Sequence, residues 1–220
     1  MAFILNIETA TEVCSVALAE SGKMLVLEEE TKVNSHSSTL TVLIQRLFDK
    51  TLRSMTELDA VAVSEGPGSY TGLRIGISAA KGLCYSLNKP LIAVSTLKAM
   101  ASGMIEFQNN ETALYCPVLD SIRNEVYVGV YDAFLNEVSP PSPADAGLPS
   151  LNHLSGNRKV FLAGTGLKKL HLPSEFQVLH LVNTSKNMVA LAENLYTKNN
   201  FVSLEYFEPL YLKNFFAGER

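Results

Sequence analysis

The chain has 220 residues, 47% hydrophobic and 18% charged, with a formal net charge of −4; that is apolar enough to bury a full core as one large or two small domains without disulfide or metal staples. Its basic residues are dispersed, with no run of five Lys or Arg, so the electrostatic footprint of a protein that grips nucleic acid unaided is missing. Any RNA contact therefore needs a partner to supply much of the grip.

In chain order, residues 3–8, 13–19 and 24–31 read as three strands, and the second connection carries the hairpin signal Glu20-Ser21-Gly22-Lys23. An amphipathic helix follows. Leu40, Leu43, Ile44, Leu47 and Phe48 recur at i, i+3, i+4, i+7 and i+8, after Asn34, Ser35 and Ser37 as candidate caps. Residues 59–64 (Asp-Ala-Val-Ala-Val-Ser) have the look of a strand buried on both faces. A helix over 70–87, a strand over 91–95 and a helical connector over 96–104 come next. The polar segment 106–112 breaks the apolar pattern and marks a domain boundary near residue 105, giving domains 1–105 and 106–220, with the C-terminal segment able to return to the first. A similar order then restarts. Residues 113–119 and 125–134 read as strands, and Pro140, Pro141, Pro143 and Pro149 predict a loop over 139–150. A strand over 160–163 ends at Gly164-Thr165-Gly166, another covers 176–181, and a helix over 187–198 is amphipathic on Met188, Leu191, Ala192 and Leu195. Two strand-rich α/β halves point to a duplication, visible in element order and not in residue identity.

Cys14, Cys84 and Cys116 are widely separated and outside any CxxC pair, which fits reduced structural thiols. The first eight residues lack the basic start and long apolar stretch of a signal peptide, and no apolar run approaches the ~20 residues of a membrane span, so a soluble cytoplasmic protein is expected.

Residues 65–76 read Glu-Gly-Pro-Gly-Ser-Tyr-Thr-Gly-Leu-Arg-Ile-Gly. Gly66, Pro67 and Gly68 end a strand, and Ser69 or Thr71 can cap the helix behind it, whose first-turn N–H groups could hold a phosphate or carboxylate. The other reading is that the glycines only turn the chain. Within the helix, Leu73, Ile77, Ala80, Cys84 and Leu87 suffice to pack on the domain's own sheet. The opposite face carries Gly72, Ile75, Ala79, Gly82 and Ser86, mostly small residues where a solvent-facing helix would show Lys and Glu. Gly76 and Gly82 each cost about 1 kcal/mol relative to Ala in a helix interior, which close approach by another backbone would offset. Two explanations stand: a partner or second copy packed on this face, with Val42 and Arg46 of the preceding helix at its margin, or burial between two layers of one domain.

His36, His153, His171 and His180 are scattered, without His-xxx-His or His-Glu-xx-His spacing, so no metal site is expected, and nothing like Gly-x-Ser-x-Gly appears. Glu8 ends the first strand, with Thr9 and Thr11 in the turn after it, where duplicated ribonuclease-H-like proteins have a phosphate-facing acid and hydroxyls. Asp120 would take the matching place across a cleft. The two carboxylates could hold Mg²⁺ and orient a nucleotide, with Gly164 and Gly166 as a nucleotide loop. Against this, neither Thr9-Ala10-Thr11-Glu12 nor Asp120-Ser121-Ile122-Arg123-Asn124 has a glycine to let phosphate approach the backbone, and a lone Gly-x-Gly is a weak signal. Intrinsic phosphoryl transfer is not expected.

Several segments together resemble the TsaB (YeaZ) family: Ile7-Glu8-Thr9-Ala10-Thr11, Cys14-Ser15-Val16-Ala17-Leu18, the glycine motif from Gly66 to Gly76, Gly82-Leu83, Val94-Ser95-Thr96-Leu97, Glu125-Val126-Tyr127, Gly164-Thr165-Gly166 and Pro209-Leu210-Tyr211-Leu212. The resemblance is dense over the first 100 residues and sparse afterwards. It implies the actin-like, sugar-kinase-like (ASKHA) fold, two ribonuclease-H-like domains around a cleft, and a role in bacterial N6-threonylcarbamoyladenosine (t6A) formation at position 37 of tRNA. It also implies a non-catalytic dimerisation subunit that pairs through the two helices of its first domain with the paralogue TsaD, which carries the metal, and works with the ATPase TsaE. No intrinsic cofactor is implied, and ATP or ADP would enter only through the complex.

TsaD-type proteins show Val-Asn-His-Leu-Glu-Gly-His after the fifth strand, where this chain reads Val94-Ser95-Thr96-Leu97-Lys98-Ala99-Met100. Thr96 and Met100 take the two histidine places and are poor ligands for a hard or borderline divalent metal, which disfavours transferase and metalloprotease activity of the isolated chain. The family's Asp-Ala-Arg is Asp120-Ser121-Ile122-Arg123 here, so Arg123 is not given the family arginine's role. The alternatives are an ATP-binding kinase-fold ATPase using Glu8, Asp120 and the Gly164 loop and, weakest, a glycoprotease-like peptidase. Pairing with a second copy through the same helices stays open.

Overall fold

The computed structural model describes residues 2–31, 36–145, 156, 158–170, 172 and 176–212. The first half holds β1 (Phe3–Glu8), β2 (Cys14–Glu20), β3 (Lys23–Glu30), α1 (His36–Thr51), β4 (Ala60–Gly66), α2 (Tyr70–Leu87) and β5 (Leu91–Ser95). Helix α3 (Thr96–Gln108) runs past residue 105 and leads to β6 (Leu114–Asp120), β7 (Glu125–Asp132), β8 (Glu137–Asp145), β9 (Val160–Ala163), β10 (Gln177–Val178) and α4 (Val189–Thr197).

The strands form two five-stranded sheets, ordered β3-β2-β1-β4-β5 and β10-β9-β6-β7-β8. In the first, β2 pairs antiparallel with β1 and β3, while β4 is parallel to β1 and β5. In the second, β7 pairs antiparallel with β6 and β8, while β9 is parallel to β6 and β10. Counted from the hairpin side, the second sheet repeats the first strand for strand. This is the duplicated α/β architecture of the actin-like, sugar-kinase-like class.

Why the first sheet carries so few polar residues follows from its two covered faces. Phe3, Leu5, Ile7, Val61 and Val63 pack under α1 and α2, against Leu40, Leu43, Leu47, Ile77 and Ala80. The alternate residues Ile4, Ala60, Ala62, Ile92 and Val94 meet Ala99 of α3 and, from the C-terminal segment, Met188 and Ala192. Alternation at period two thus feeds two cores, and a strand buried on both sides reads as a continuous apolar run. Helix α3 also contributes Met104 against Tyr115, Phe161 and Ala163, and Leu97, Met100 and Ala101 against Leu119 and Tyr131, which makes it the seam between the sheets.

Four expectations need correcting. The loop predicted over 139–150 is instead strand β8 as far as Asp145, because β8 lies at the edge of its sheet, where prolines that cannot donate to a ladder are tolerated. The strand over 176–181 shrinks to Gln177–Val178, and the last helix opens as a 3-10 turn, Ser185–Met188. Ser37 lies inside α1. Asn34, Ser35, His153 and His171 lie outside the described residues. Of the two candidate caps for α2, Ser69 serves: its Oγ accepts from the Gly72 N–H at 3.2 Å.

Candidate functional site

A cleft of about 490 Å³ opens between the halves. One wall is the β1–β2 turn with Ala10 and Thr11, together with Ser37 of α1 and Gly68, Ser69 and Gly72 at the α2 entrance; the other is Leu119, Asp120, Ser121 and Thr165. An adjoining space of about 280 Å³ shares Thr11, Leu119 and Thr165 and reaches Met100, Gly164 and Asn183.

The acidic residue expected to face a phosphate does not face the cleft. Glu8 is fully buried, and its carboxylate accepts hydrogen bonds from the Ala10 N–H at 2.6 Å and from Asn183 Nδ2 at 2.8 Å. Burial pushes its pKa up, with these hydrogen bonds opposing the rise. Asn183 accepts in turn from Asn187 Nδ2 at 3.3 Å. Glu8 is therefore the anchor of its own turn and of the C-terminal segment that returns to the first sheet.

Thr9 is buried too, and its N–H donates to Ser64 Oγ at 3.4 Å. Its carbonyl and hydroxyl lie directly over Gly72 and Gly76, where a Cβ would overlap them. The close backbone approach expected at Gly76 and Gly82 is found at neither: the Thr9 carbonyl, from this chain's own β1–β2 turn, lies over Gly72, Gly76 meets the Thr9 hydroxyl, and nothing comes within 4 Å of a Cβ at Gly82. Gly72 and Gly76 are thus removed from the candidate partner surface, and Thr9 from the nucleotide-facing set. Thr11 does reach the cleft wall.

Across the cleft, Asp120 is about half exposed and ion-paired with Lys169. The Lys169 ammonium also donates to the carbonyls of Ser121 at 2.6 Å, Arg123 at 2.5 Å and Glu125 at 3.3 Å, so the whole β6–β7 turn is wrapped around one cation. Gly164 has φ of 121°, and a Cβ there would overlap the Val118 carbonyl; at Gly166 it would come within 2.8 Å of the Leu119 carbonyl. These two glycines let the chain after β9 lie on β6, so close packing accounts for them without a nucleotide.

Six of the residues proposed for a partner surface border solvent. Val42 and Arg46 of α1 and Gly82 and Ser86 of α2 are exposed, and Ile75 and Ala79 are half-buried against the core beneath. A Cβ at Gly82 would meet nothing within 4 Å. The three cysteines are buried and unpaired; burial pushes the Cys14 thiol up to about 11 and Cys84 to about 12.

The family model TsaD, described as tRNA N6-adenosine threonylcarbamoyltransferase, matches residues 29–144. The Escherichia coli tRNA threonylcarbamoyladenosine biosynthesis protein TsaB is 31% identical, over 99% of this chain and 97% of that one. The chain belongs to the TsaB family. YeaZ from Pseudomonas aeruginosa superposes with a TM-score of 0.84 at 27% identity, covering 96% of this chain and all of that one. The activator of the 2-hydroxyisocaproyl-CoA dehydratase from Clostridium difficile, with bound ADPNP, reaches 0.55 at 10% identity over 90% of this chain and 96% of that one, a likeness of fold alone.

A Mg²⁺-nucleotide between Glu8 and Asp120, expected as an alternative from sequence, is tested by what those two carboxylates bond. The residues do not fit a Mg²⁺-nucleotide: the Glu8 carboxylate is spent on Ala10 and Asn183, and Asp120 on Lys169. Thr96 and Met100 are both buried at the start of α3. Among the described residues, no three His, Cys, Asp or Glu side chains gather as donors for a metal ion, and no helix is long and apolar enough to cross a membrane.

Sequence reasoning missed Asn183 and Lys169. Neither had a local signal, since each acts on a turn that only the fold brings near: Asn183 on one 175 residues away, Lys169 on one 44 to 48 away.

Proposed function

We propose that this chain is a non-catalytic pairing subunit in t6A formation on tRNA. It joins a TsaD-type transferase through the exposed strip of α1 and α2, works with the ATPase TsaE, and acts in the cytoplasm. The observation that carries the reading is the contrast between a cleft whose carboxylates are consumed internally and a long helix whose outer strip is left small and uncharged. Threonylcarbamoyl-adenylate made elsewhere is the donor, and the transferase supplies the metal. The relatives named for tRNA threonylcarbamoyladenosine biosynthesis support the part of this reading that places the chain in t6A formation.

Reconstitution tests it. Threonylcarbamoyl transfer to tRNA is measured with TsaD and TsaE, with and without this chain, while complex formation is followed by co-elution. Full activity without the chain overturns the reading. Gly82→Leu should abolish co-elution while leaving the fold intact, because its side chain projects into open space on the isolated chain.

The cleft of about 490 Å³ keeps an ATP-binding reading in view. Calorimetry of the isolated chain with ATP and Mg²⁺ decides it: absence of heat at millimolar nucleotide removes it. Pairing with a second copy through the same strip is read from sedimentation of the chain alone.

A further inference from the structure

After α4 the chain crosses back over the first sheet. The Val202 N–H donates to the Leu91 carbonyl at 3.0 Å, forming an antiparallel bridge on the outer edge of β5. Val202, Leu204 and Phe207 then pack on the core beneath α1 and α2. Beyond them the segment runs along the flank of α2 towards its start. Lys81 Nζ donates to the Phe207 carbonyl at 3.1 Å, and the Leu210 N–H donates to the Glu65 carbonyl at 2.8 Å. The Leu210 carbonyl sits over Gly66, whose φ of 115° and lack of a side chain admit it; a Cβ there would lie 2.9 Å from that oxygen. At the end of the run, Arg74 Nε donates to the Tyr211 hydroxyl at 3.0 Å, and the guanidinium lies 4.1 Å from the centroid of the Tyr70 ring. The Tyr70 and Tyr211 rings are themselves 5.2 Å apart.

One consequence concerns charge. Helix α2 contains no Asp or Glu, and its only cations are Arg74 and Lys81. Both are held by the C-terminal segment. What faces outward between them and α1 is neutral: Thr71, Ser78, Gly82, Tyr85 and Ser86. The same contacts fix the loop at Gly66 from one side of the α2 entrance, while the β1–β2 turn holds the other, with the Ala10 carbonyl accepting from the Ser69 N–H at 2.7 Å and Thr9 lying over Gly72.

We propose that residues 201–212 are a strap that positions α2 as a docking helix, so that the pairing surface depends on a tyrosine 137 residues further along the chain. Tyr211 and Arg74 act as positioning residues: Tyr211 draws the arginine sideways against Tyr70, clear of the strip, and the backbone pairing at Glu65 sets the angle at which the helix leaves β4. The inference rests on the pairing reading above for its role and on the intramolecular contacts for its existence.

Amide hydrogen exchange on the intact chain reads the contacts directly, since local opening is governed by the contacts nearest the amide. In Tyr211→Ala, exchange at the amides of Gly66, Gly68, Ser69 and residues 73–77 should quicken about tenfold or more while the amides of β6 and β7 are unchanged; Tyr211→Phe, which keeps the ring and loses the hydroxyl, should give a smaller rise. Pairing of Tyr211→Ala with a TsaD-type partner should weaken about tenfold. Unchanged exchange overturns the strap. Weakened pairing with unchanged exchange also overturns it, since Tyr211 would then be a direct contact, and quickened exchange with unweakened pairing overturns its positioning role. Failure of the wild-type chain to pair at all counts against the pairing reading, and the exchange experiment still decides whether the strap exists.

Discussion

Between β4 and β5 the first half has an 18-residue helix, α2. Between β9 and β10, the same place in the repeated sheet order, the helical element among the described residues is the five-residue 3-10 turn Thr165–Lys169. A helix of five turns has more surface than one sheet can cover, so α2 buries Leu73, Ile77, Ala80 and Cys84 and leaves an outward strip. The short turn has no second face. It closes on β6 through Gly164 and Gly166 and sends Lys169 inward to hold the β6–β7 turn. Within one repeated strand order, one connection leaves an outward face and the other is an internal brace.

The sharpest way to break this contrast is at Gly72. Its Cβ position is filled by the Thr9 carbonyl, a backbone atom that cannot rotate away. Gly72→Val should cost about 3 kcal/mol or more, as overpacking against backbone does, seen as a lower urea midpoint. Next comes the brace on the first side. Asn183→Ala leaves an oxygen of a fully buried carboxylate without its donor and should cost about 2 kcal/mol.

The same carboxylate gives a pH signature. Because the folded-state pKa of Glu8 is raised above 4.5, the native state binds its proton more tightly than the unfolded chain does. Stability therefore falls as pH rises from about 4.5 through the folded pKa. Glu65, also raised by burial, adds a slope of the same sign. Glu8→Gln should remove part of that slope in urea titrations between pH 4.5 and 8, and an unchanged slope would show that Glu8 is not the group responsible. On the second side, Lys169→Met removes one partly exposed ion pair and a charged donor to three carbonyls. The expected loss is about 1.5 kcal/mol, with faster exchange confined to the β6–β7 turn.

Much of the architecture was legible because it is local. Residues 3–8, 70–87 and 91–95 announce β1, α2 and β5 by apolar runs and spacing alone, and the repeated order of strands points to the duplicated sheet. The prolines from 140 to 143 misled for a tertiary reason, since whether proline forbids a strand depends on its being central or at an edge. The site was harder. The small residues of α2 were visible as a stripe, yet helix periodicity cannot tell a glycine pressed by the chain's own turn from one awaiting a partner. Gly72, Gly76 and Gly82 looked alike in sequence, and only the position of Thr9 separates them. Glu8 and Asp120 stood at matching strand ends as expected, but the Asn183 hydrogen bond to the one and the Lys169 ion pair with the other are long-range and left no trace in local pattern.

The smallest expected effect discriminates most finely. Gly82 is exposed, interior to α2 and free of any neighbour at its Cβ position. For the isolated chain, Gly82→Ala therefore removes only the entropic cost of glycine in a helix and should stabilise by about 0.5–1 kcal/mol in urea titration. If a partner helix approaches this strip closely, the added methyl occupies the space the partner needs, and pairing should weaken by several-fold in the very variant that folds better. Opposite signs in the two measurements would separate a glycine kept for docking from one kept for packing, which Gly72 already is. A gain in stability with unchanged pairing would place the partner elsewhere on the first half and leave Gly82 without a role in the interface.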